Sequence, residues 1–389
     1  MPDPEDRAVS ASSPVREISP EGEGAPESGL ALCLSGGGYR AMVFHVGVLW
    51  RLNEAGYLRR LARVSSVSGG SITAAVLGLK WNRLAFDGAG VAKAFQTEVV
   101  EPVRGLAGRT IDAGAIIGGV LLPGTTVADR VESAYRKHLF GDATLQALPE
   151  TPRFVLNATN VQTGALWRFS RPYMADYRVG RVLAPTLPLA RAVAASSAFP
   201  PVLSPVEVDL QADDWETPPG RGVDLHREPF TTEVVLSDGG VYDNLGLETA
   251  WKRYDTVLVS DAGGKMQPEA EPERDWARHV LRILEIIDNQ VRSLRKRQVI
   301  EAFKRGERKG AYWGIRTNVA DYGLTDALAC PFDRTTELAN TPTRLARLEA
   351  EHQERLINWG YAVCDAALRR HVDRAVTRPL GFPYAGAGV

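Results

Sequence analysis

Cysteine is scarce: three in 389 residues, Cys33, Cys330 and Cys364, far apart and odd in number. They make neither a disulfide framework nor a paired metal-ligand spacing, which points to a reducing compartment. Net charge is equally scarce. Lys and Arg number 46 against 47 Asp and Glu, so the chain lacks the basic excess of a nucleic-acid binder. No apolar run approaches the roughly 20 residues of a spanning helix. The longest of the weak candidates, Ala113–Leu122, has ten and is rich in Gly; it reads as a core segment or an apolar flap. The N-terminal residues 1–28 hold seven acids, two Arg and almost nothing bulky. That composition suits a disordered acidic tail, not a secretory signal with its basic start and apolar stretch. No internal repeat is visible, and no D-x-D-x-D-G loop marks a calcium site. The expectations are therefore a cytoplasmic protein without metal or other cofactor and without a nucleic-acid partner.

What remains is ordinary globular composition, 44% hydrophobic and 24% charged. Leu30–Leu34 is a buried-strand pattern stopped by Ser35 and three glycines, and Tyr39–Leu52 has helical periodicity. Leu61–Val67 repeats the theme: strand, Ser68-Gly69-Gly70, then a helix over Ser71–Trp81. Strand, glycine turn and helix twice over predict an α/β fold with a mainly parallel sheet. Further strands are expected at 153–160, 166–170, 233–237 and 256–260, and helices at 127–139 and 189–195, with a long polar loop over 207–231. The last third turns helical. In Arg278–Arg308 the residues Val280, Ile283, Leu284, Ile287, Val291 and Leu294 form one apolar stripe, and 291–309 carries eight Lys/Arg against two Glu. This is either a helix packed on the core with a solvated basic face or a basic helix lying on an anionic membrane. Another helix is expected over 345–372.

Three glycine-broken strand ends carry the chemistry. In Ser66-Val67-Ser68-Gly69-Gly70, Ser68 sits where a sharp strand-to-helix turn would expose a nucleophile. Such a turn needs small residues at −2 and +2; Gly70 meets this and Ser66 replaces the usual Gly. A Ser-Gly-Gly that merely caps a helix is the plainer alternative. Gly36-Gly37-Gly38-Tyr39-Arg40 offers converging backbone N–H groups before a helix, an anion site. It lacks the Lys-Ser/Thr of a Walker loop and the G-x-G-x-x-G of a dinucleotide site. An oxyanion hole for acyl transfer fits better, since it needs only donors. Arg40 would orient the loop or pair with a carboxylate. Asp238-Gly239-Gly240 ends the third strand; Asp238 is a general base within reach of a Ser, or a turn residue. None of the six His follows a strand with a suitable acid.

Together these segments resemble the patatin-like phospholipase family, with its GGG-x-R loop, G-x-S-x-G turn and D-G-G/A base. His45, Gly47-Val48-Leu49, Ser196-Ser197-Ala198-Phe199-Pro200 and Asn244 add to the likeness, which spans about 29–265. The resemblance implies a three-layer α/β/α sandwich as catalytic domain, with 266–389 a C-terminal helical extension packed on or beside it. It implies a phospholipase A- or lysophospholipase-like acyl hydrolase acting through a Ser68–Asp238 dyad and an acyl-enzyme. Gly36, Gly37, Gly38 and Gly69 would form the oxyanion hole, supported by Arg40, Ser66, Gly70, Gly239 and Gly240. Phospholipids or other acyl esters are the expected substrates, with peripheral membrane contact. The competing expectations are a fold that binds without turnover, motivated by Ser66, and an esterase or thioesterase on soluble substrates.

Overall fold

A computed structural model of the chain describes residues 26–111, 126–217 and 223–389. Most of the expected acidic tail, the apolar segment Ala113–Leu122 and part of the 207–231 loop lie outside the described residues. The helices used below are α1 (Gly38–Glu54), α2 (Gly69–Lys80), α3 (Glu101–Ala107), α4 (Val127–Tyr135), α5 (Leu189–Ser196), α6 (Gly240–Asp243), α7 (Glu248–Trp251), α8 (Trp276–Lys304), α9 (Phe332–Ala339) and α10 (Ala350–Ala367). The strands are β1 (Glu27–Leu34), β2 (Leu61–Val67), β3 (Arg153–Asn160), β4 (Leu166–Phe169), β5 (Tyr173–Asp176), β6 (Gly180–Leu183), β7 (Val206–Asp209), β8 (Trp215–Glu216), β9 (Glu233–Asp238), β10 (Tyr254–Asp261) and β11 (Lys309–Gly314).

One sheet runs in the order β11-β10-β1-β2-β3-β4-β5-β6-β8, with β9 on β3 and β7 on β9. The first five strands are parallel, and an antiparallel arm continues from β3. The parallel strands are buried on both faces. Along β1, Leu30, Leu32 and Leu34 enter one core with α1 and α2, whereas Ala31 and Cys33 enter a second with Leu245, Leu247 and Val299. Alternate side chains point to opposite faces, so an apolar run without polar breaks is what a sheet covered on both sides requires. This is the expected three-layer α/β/α sandwich.

Three details differ from the sequence reading. The first strand begins at Glu27, whose N–H donates to the Arg253 carbonyl, inside the stretch read as tail. The polar 207–231 stretch is not all loop: β7 pairs with β9, and β8 with β6. The C-terminal third, read as helical, also supplies edge strand β11. Its helix α10 crosses α1 at two glycines: a Cβ on Gly47 would sit 1.9 Å from the Ile357 carbonyl oxygen, and one on Gly360 2.0 Å from that of Phe44. Asp365 ties the same helices together, bonded to Arg51 at 2.9 Å and to Arg369 at 2.9 Å, all buried.

The long basic helix differs most. Its charged face is turned to the body: Arg292 donates to the Gly264 carbonyl, Arg295 pairs with Asp243 and Glu248, and Lys296 pairs with Asp261. The apolar stripe faces solvent, and only Val299 and Ala302 of α8 are buried. The expected packing of the apolar stripe on the core is overturned by these ion pairs, while Arg297, Lys304 and Arg305 stay exposed.

Candidate active site

Sheet register explains how distant residues meet. β3 pairs with β4 along one edge, over Leu156–Thr159. Along its other edge β2 arrives in parallel and ends with Val67 opposite Asn157. β9 arrives antiparallel on that same edge and ends with Asp238 opposite Ala158. The two strands therefore meet head to head on one side of β3, and the residue that leaves β2 is Ser68. In the mainly parallel sheet expected from sequence, Asp238 is thus the exception, reaching the site on a strand that runs against β3.

Ser68 has φ 53° and ψ −123°, a conformation that L-residues populate only when the surroundings impose it. The surroundings are visible. Its N–H donates to Ser196 (carbonyl 3.1 Å, hydroxyl 3.2 Å). Beneath the turn the hydroxyls of Ser66, Ser71 and Ser196 bond in series at 3.0 and 2.8 Å. Ser66 thus fits at −2, where Gly is usual, because its side chain is buried and its hydroxyl is satisfied below the turn. Gly69 starts α2 directly against the glycine loop: a Cβ there would lie 2.1 Å from the Gly38 carbonyl oxygen.

The loop itself is held from several sides. Gly37 and Gly38 have φ of +142° and +60°, which favours Gly at both. The Gly36 N–H donates to the Asn244 carbonyl at 3.1 Å, so it is already spent. The N–H groups of Gly37, Gly38 and Gly69 have no acceptor among the described residues. Among the described residues Arg40 pairs with no carboxylate: it donates to the carbonyls of Ala262 and Thr341. Burial lowers its pKa to about 10, which leaves it charged at neutral pH. His45 is neutral, its pKa lowered to about 4 by burial. Trp313 Nε1 donates to Ser260 Oγ, whose hydrogen is then free for His45 Nδ1, and His45 Nε2 donates to the Ser35 carbonyl. That ring steadies the strand end before the glycines, and no histidine bonds to Ser68 or Asp238 among the described residues.

Asp238 is 1% exposed and Ser68 7%. Burial raises the Asp238 pKa to about 7, against the Gly240 N–H (2.7 Å to Oδ1) and the Ser68 hydroxyl, which both lower it. Oδ2 makes no bond of full hydrogen-bond geometry, so the hydroxyl stands near the carboxyl without being locked to it. Catalytic pairs are often loose before substrate arrives. Gly239 packs on the Asn157 carbonyl, and Gly70 on that of Leu34.

Sequence reasoning missed three supports. Asn157 donates to Ser65 Oγ and the Ser66 carbonyl, bracing the turn. The backbone of 341–344 closes on the glycine loop, with Tyr39 N–H on the Arg344 carbonyl. Buried Asp261 lies beyond the loop; burial alone would raise its pKa, but Lys296 and Arg292 hold it below the usual carboxylate range. The partners Asn244, Ser196 and His45 carried a sequence signal; these three supports did not.

Fold and site define an α/β protein built round a strained serine turn. The model of the family described as patatin-like phospholipase matches residues 32–251, over half of the chain, and the chain belongs to that family. Membership supports lipid acyl hydrolysis as the general activity. No curated protein matches the chain. Among solved structures it is similar to human GIVD cytosolic phospholipase A2, at 14% identity over 60% of this chain and 45% of that one, with TM-score 0.36. The same human protein in complex with methyl gamma-linolenyl fluorophosphonate gives 14% identity over 87% and 57%, with TM-score 0.48. VipD from Legionella pneumophila gives 15% over 88% and 67%, with TM-score 0.35. The chain spans less than half the length of the first of these. At these identities and TM-scores the likenesses carry no argument about this chain.

Proposed function

We propose that the protein hydrolyses carboxylic esters of acyl lipids through Ser68 and Asp238. The observation that supports this most is the head-to-head ending of β2 and β9 on β3, which delivers a strained serine and a buried carboxyl of near-neutral pKa to one point. A base titrating near pH 7 balances availability against proton affinity. Asp238 takes the Ser68 hydroxyl proton as Oγ attacks the ester carbonyl. The N–H groups of Gly37, Gly38 and Gly69 hold the oxyanion; Gly36, committed to Asn244, shapes the loop instead. The proton passes from Asp238 to the departing alcohol, leaving an acyl-serine. Asp238 then takes a proton from water, whose oxygen attacks the acyl carbon, and the fatty acid leaves as the serine recovers its hydrogen.

The test pairs turnover with labelling. Ser68→Ala and Asp238→Asn are expected to lose at least ~10⁴-fold in turnover of short-chain p-nitrophenyl esters and phospholipid. A fluorophosphonate should label the parent at Ser68 and leave Ser68→Ala unmarked. Parent-like turnover by folded Ser68→Ala would refute the assignment. An unlabelled, folded parent would indicate a binding protein without catalysis.

A further inference from the structure

The C-terminal end of α10 carries an unbalanced group of arginines. Arg369, Arg370, Arg374 and Arg378 line an open groove of about 330 Å³, and among the described residues Asp326 is the one acid on its walls. Grooves of this size accept small ligands. The charges do not cancel. Buried Asp365 pairs with Arg51 and Arg369, and Arg369 Nη1 reaches both oxygens of Asp326 at 2.9 and 2.8 Å. Arg51 and Arg369 thus stand against Asp365 and Asp326. Arg370, Arg374 and Arg378 are left over; all three are exposed, and their guanidinium groups meet no acceptor among the described residues. Asp373, the acid nearest in sequence, accepts from the Tyr57 hydroxyl and the Ala375 N–H and does not line the groove. His371 adds no charge at neutral pH, since burial and then the Arg370 cation lower its pKa.

The frame beneath these side chains is fixed. Arg51 donates to the Thr377 carbonyl as well as to Asp365, which fastens the residue before Arg378 to α1. Tyr57 fastens Asp373, the residue before Arg374. Arg369 is 8% exposed, and its Nη2 is buried without a hydrogen-bond partner, a charged donor left unfilled in the groove wall. A guanidinium is planar and always charged, and its fork of donors matches two phosphate oxygens at once. Like charges held together repel, so a multiply charged anion relieves this cluster further than a single carboxylate can. The groove is remote from the ester-cleaving site. From Gly38 at the glycine loop to Arg51 beneath the groove, α1 rises ~20 Å at about 1.5 Å per residue.

We propose that this groove is a second binding site, for a phosphoryl group carried either by a lipid headgroup or by a soluble phosphate ester. Arg370, Arg374 and Arg378 supply the charge and the paired donors. Arg369, neutralised by Asp365 and Asp326, forms the floor. The site stands apart from Ser68 and Asp238 and holds whether or not they cleave esters.

Two probes distinguish the sources. Inorganic pyrophosphate, titrated calorimetrically into the full chain, reports a soluble phosphate. Flotation with ether-linked phosphatidylcholine vesicles, with and without ether-linked phosphatidate, reports a headgroup that the enzyme cannot cleave. The parent should bind pyrophosphate saturably, float only with phosphatidate, or do both; pyrophosphate that displaces it from the vesicles would place both ligands in one site. The triple change Arg370→Gln, Arg374→Gln, Arg378→Gln should weaken whichever binding is seen by at least about tenfold. Its thermal midpoint should equal or exceed the parent's, and its turnover of monomeric esters should be unchanged. The triple change to Lys keeps the charge and loses the fork, and should weaken binding by about threefold or more. No saturable pyrophosphate binding together with no phosphatidate-dependent flotation would overturn the proposal. So would binding untouched by the Gln changes, or binding by the Lys variant equal to the parent's, which would reduce the groove to diffuse charge. A parent that binds pyrophosphate yet cleaves no ester would refute the hydrolase reading and leave this site standing.

Discussion

Asp238→Asn should make the protein more stable while disabling it, and the gain should depend on pH. The folded-state pKa is raised to about 7 by burial, with Asp288 adding a smaller push, against about 3.9 in an unfolded chain. The native state therefore holds this proton more tightly. Stability from the group is full below about pH 4 and is lost as pH rises through about 7. Between pH 5 and 8 the loss is roughly two pKa units at 1.36 kcal/mol each, about 2–3 kcal/mol. Asn fits the site: Oδ1 still accepts from Gly240, and the new amide occupies the position of Oδ2, which has no full bond to lose. Urea unfolding of parent and variant at pH 5, 6, 7 and 8 measures the difference directly. The stability gap should open in favour of the variant as pH rises. Turnover by the parent should climb through a limb near pH 7, since the base must be unprotonated. A gap that stays flat across that range would show that the carboxyl titrates normally, and would remove the physical basis for its role as base.

Ser68→Gly should be about 1 kcal/mol more stable than Ser68→Ala by thermal unfolding, because Gly relaxes the φ of 53° that Ala must keep; equal stabilities would mean the turn is unstrained. Gly69→Ala forces a methyl to 2.1 Å from the Gly38 carbonyl oxygen. Its displacement of one donor should cost about 100- to 1000-fold in ester turnover, read as kcat with KM little changed. Asp365→Ala removes the buried carboxylate shared by Arg51 and Arg369; Arg51 keeps the Thr377 carbonyl and Arg369 keeps Asp326, so urea unfolding should register a loss of about 3 kcal/mol, the low end for a broken buried pair.

The parallel half of the fold was legible because its strands are short, carry a run of apolar residues and are soon followed by glycine, as β1, β2 and β10 are. Of the antiparallel strands, β4 and β9 were legible and the rest were not. β5, β6 and β8 are strands of two to four residues, with Tyr173, Arg181 and Glu216 exposed or half-buried at their edges. Such strands owe their conformation to neighbours more than to local pattern. β11 was hidden for a related reason: Lys309-Gly310 opens it, and its pairing with β10 is what makes it a strand.

The site divides along the same line. Ser68, Asp238 and the glycine triplet stood out because tight turns and close backbone approach restrict the residue types allowed there. Their meeting did not stand out, since it depends on β9 running against β3 and stopping where β2 stops. Nor did the diversion of Gly36 to Asn244, which only a tertiary hydrogen bond could disclose. Periodicity placed the apolar stripe of α8 correctly along the helix and misjudged which way it faces. The moment of a helix says that two faces differ, not which one meets the body. Here three buried or half-buried acids, Asp243, Glu248 and Asp261, claimed the basic face. Leaving Asp261 without Lys296 and Arg292 would strand a charge in a dry interior, a larger penalty than wetting a row of aliphatic side chains. The orientation of α8 therefore follows from those acids, and so does the exposure of its apolar stripe.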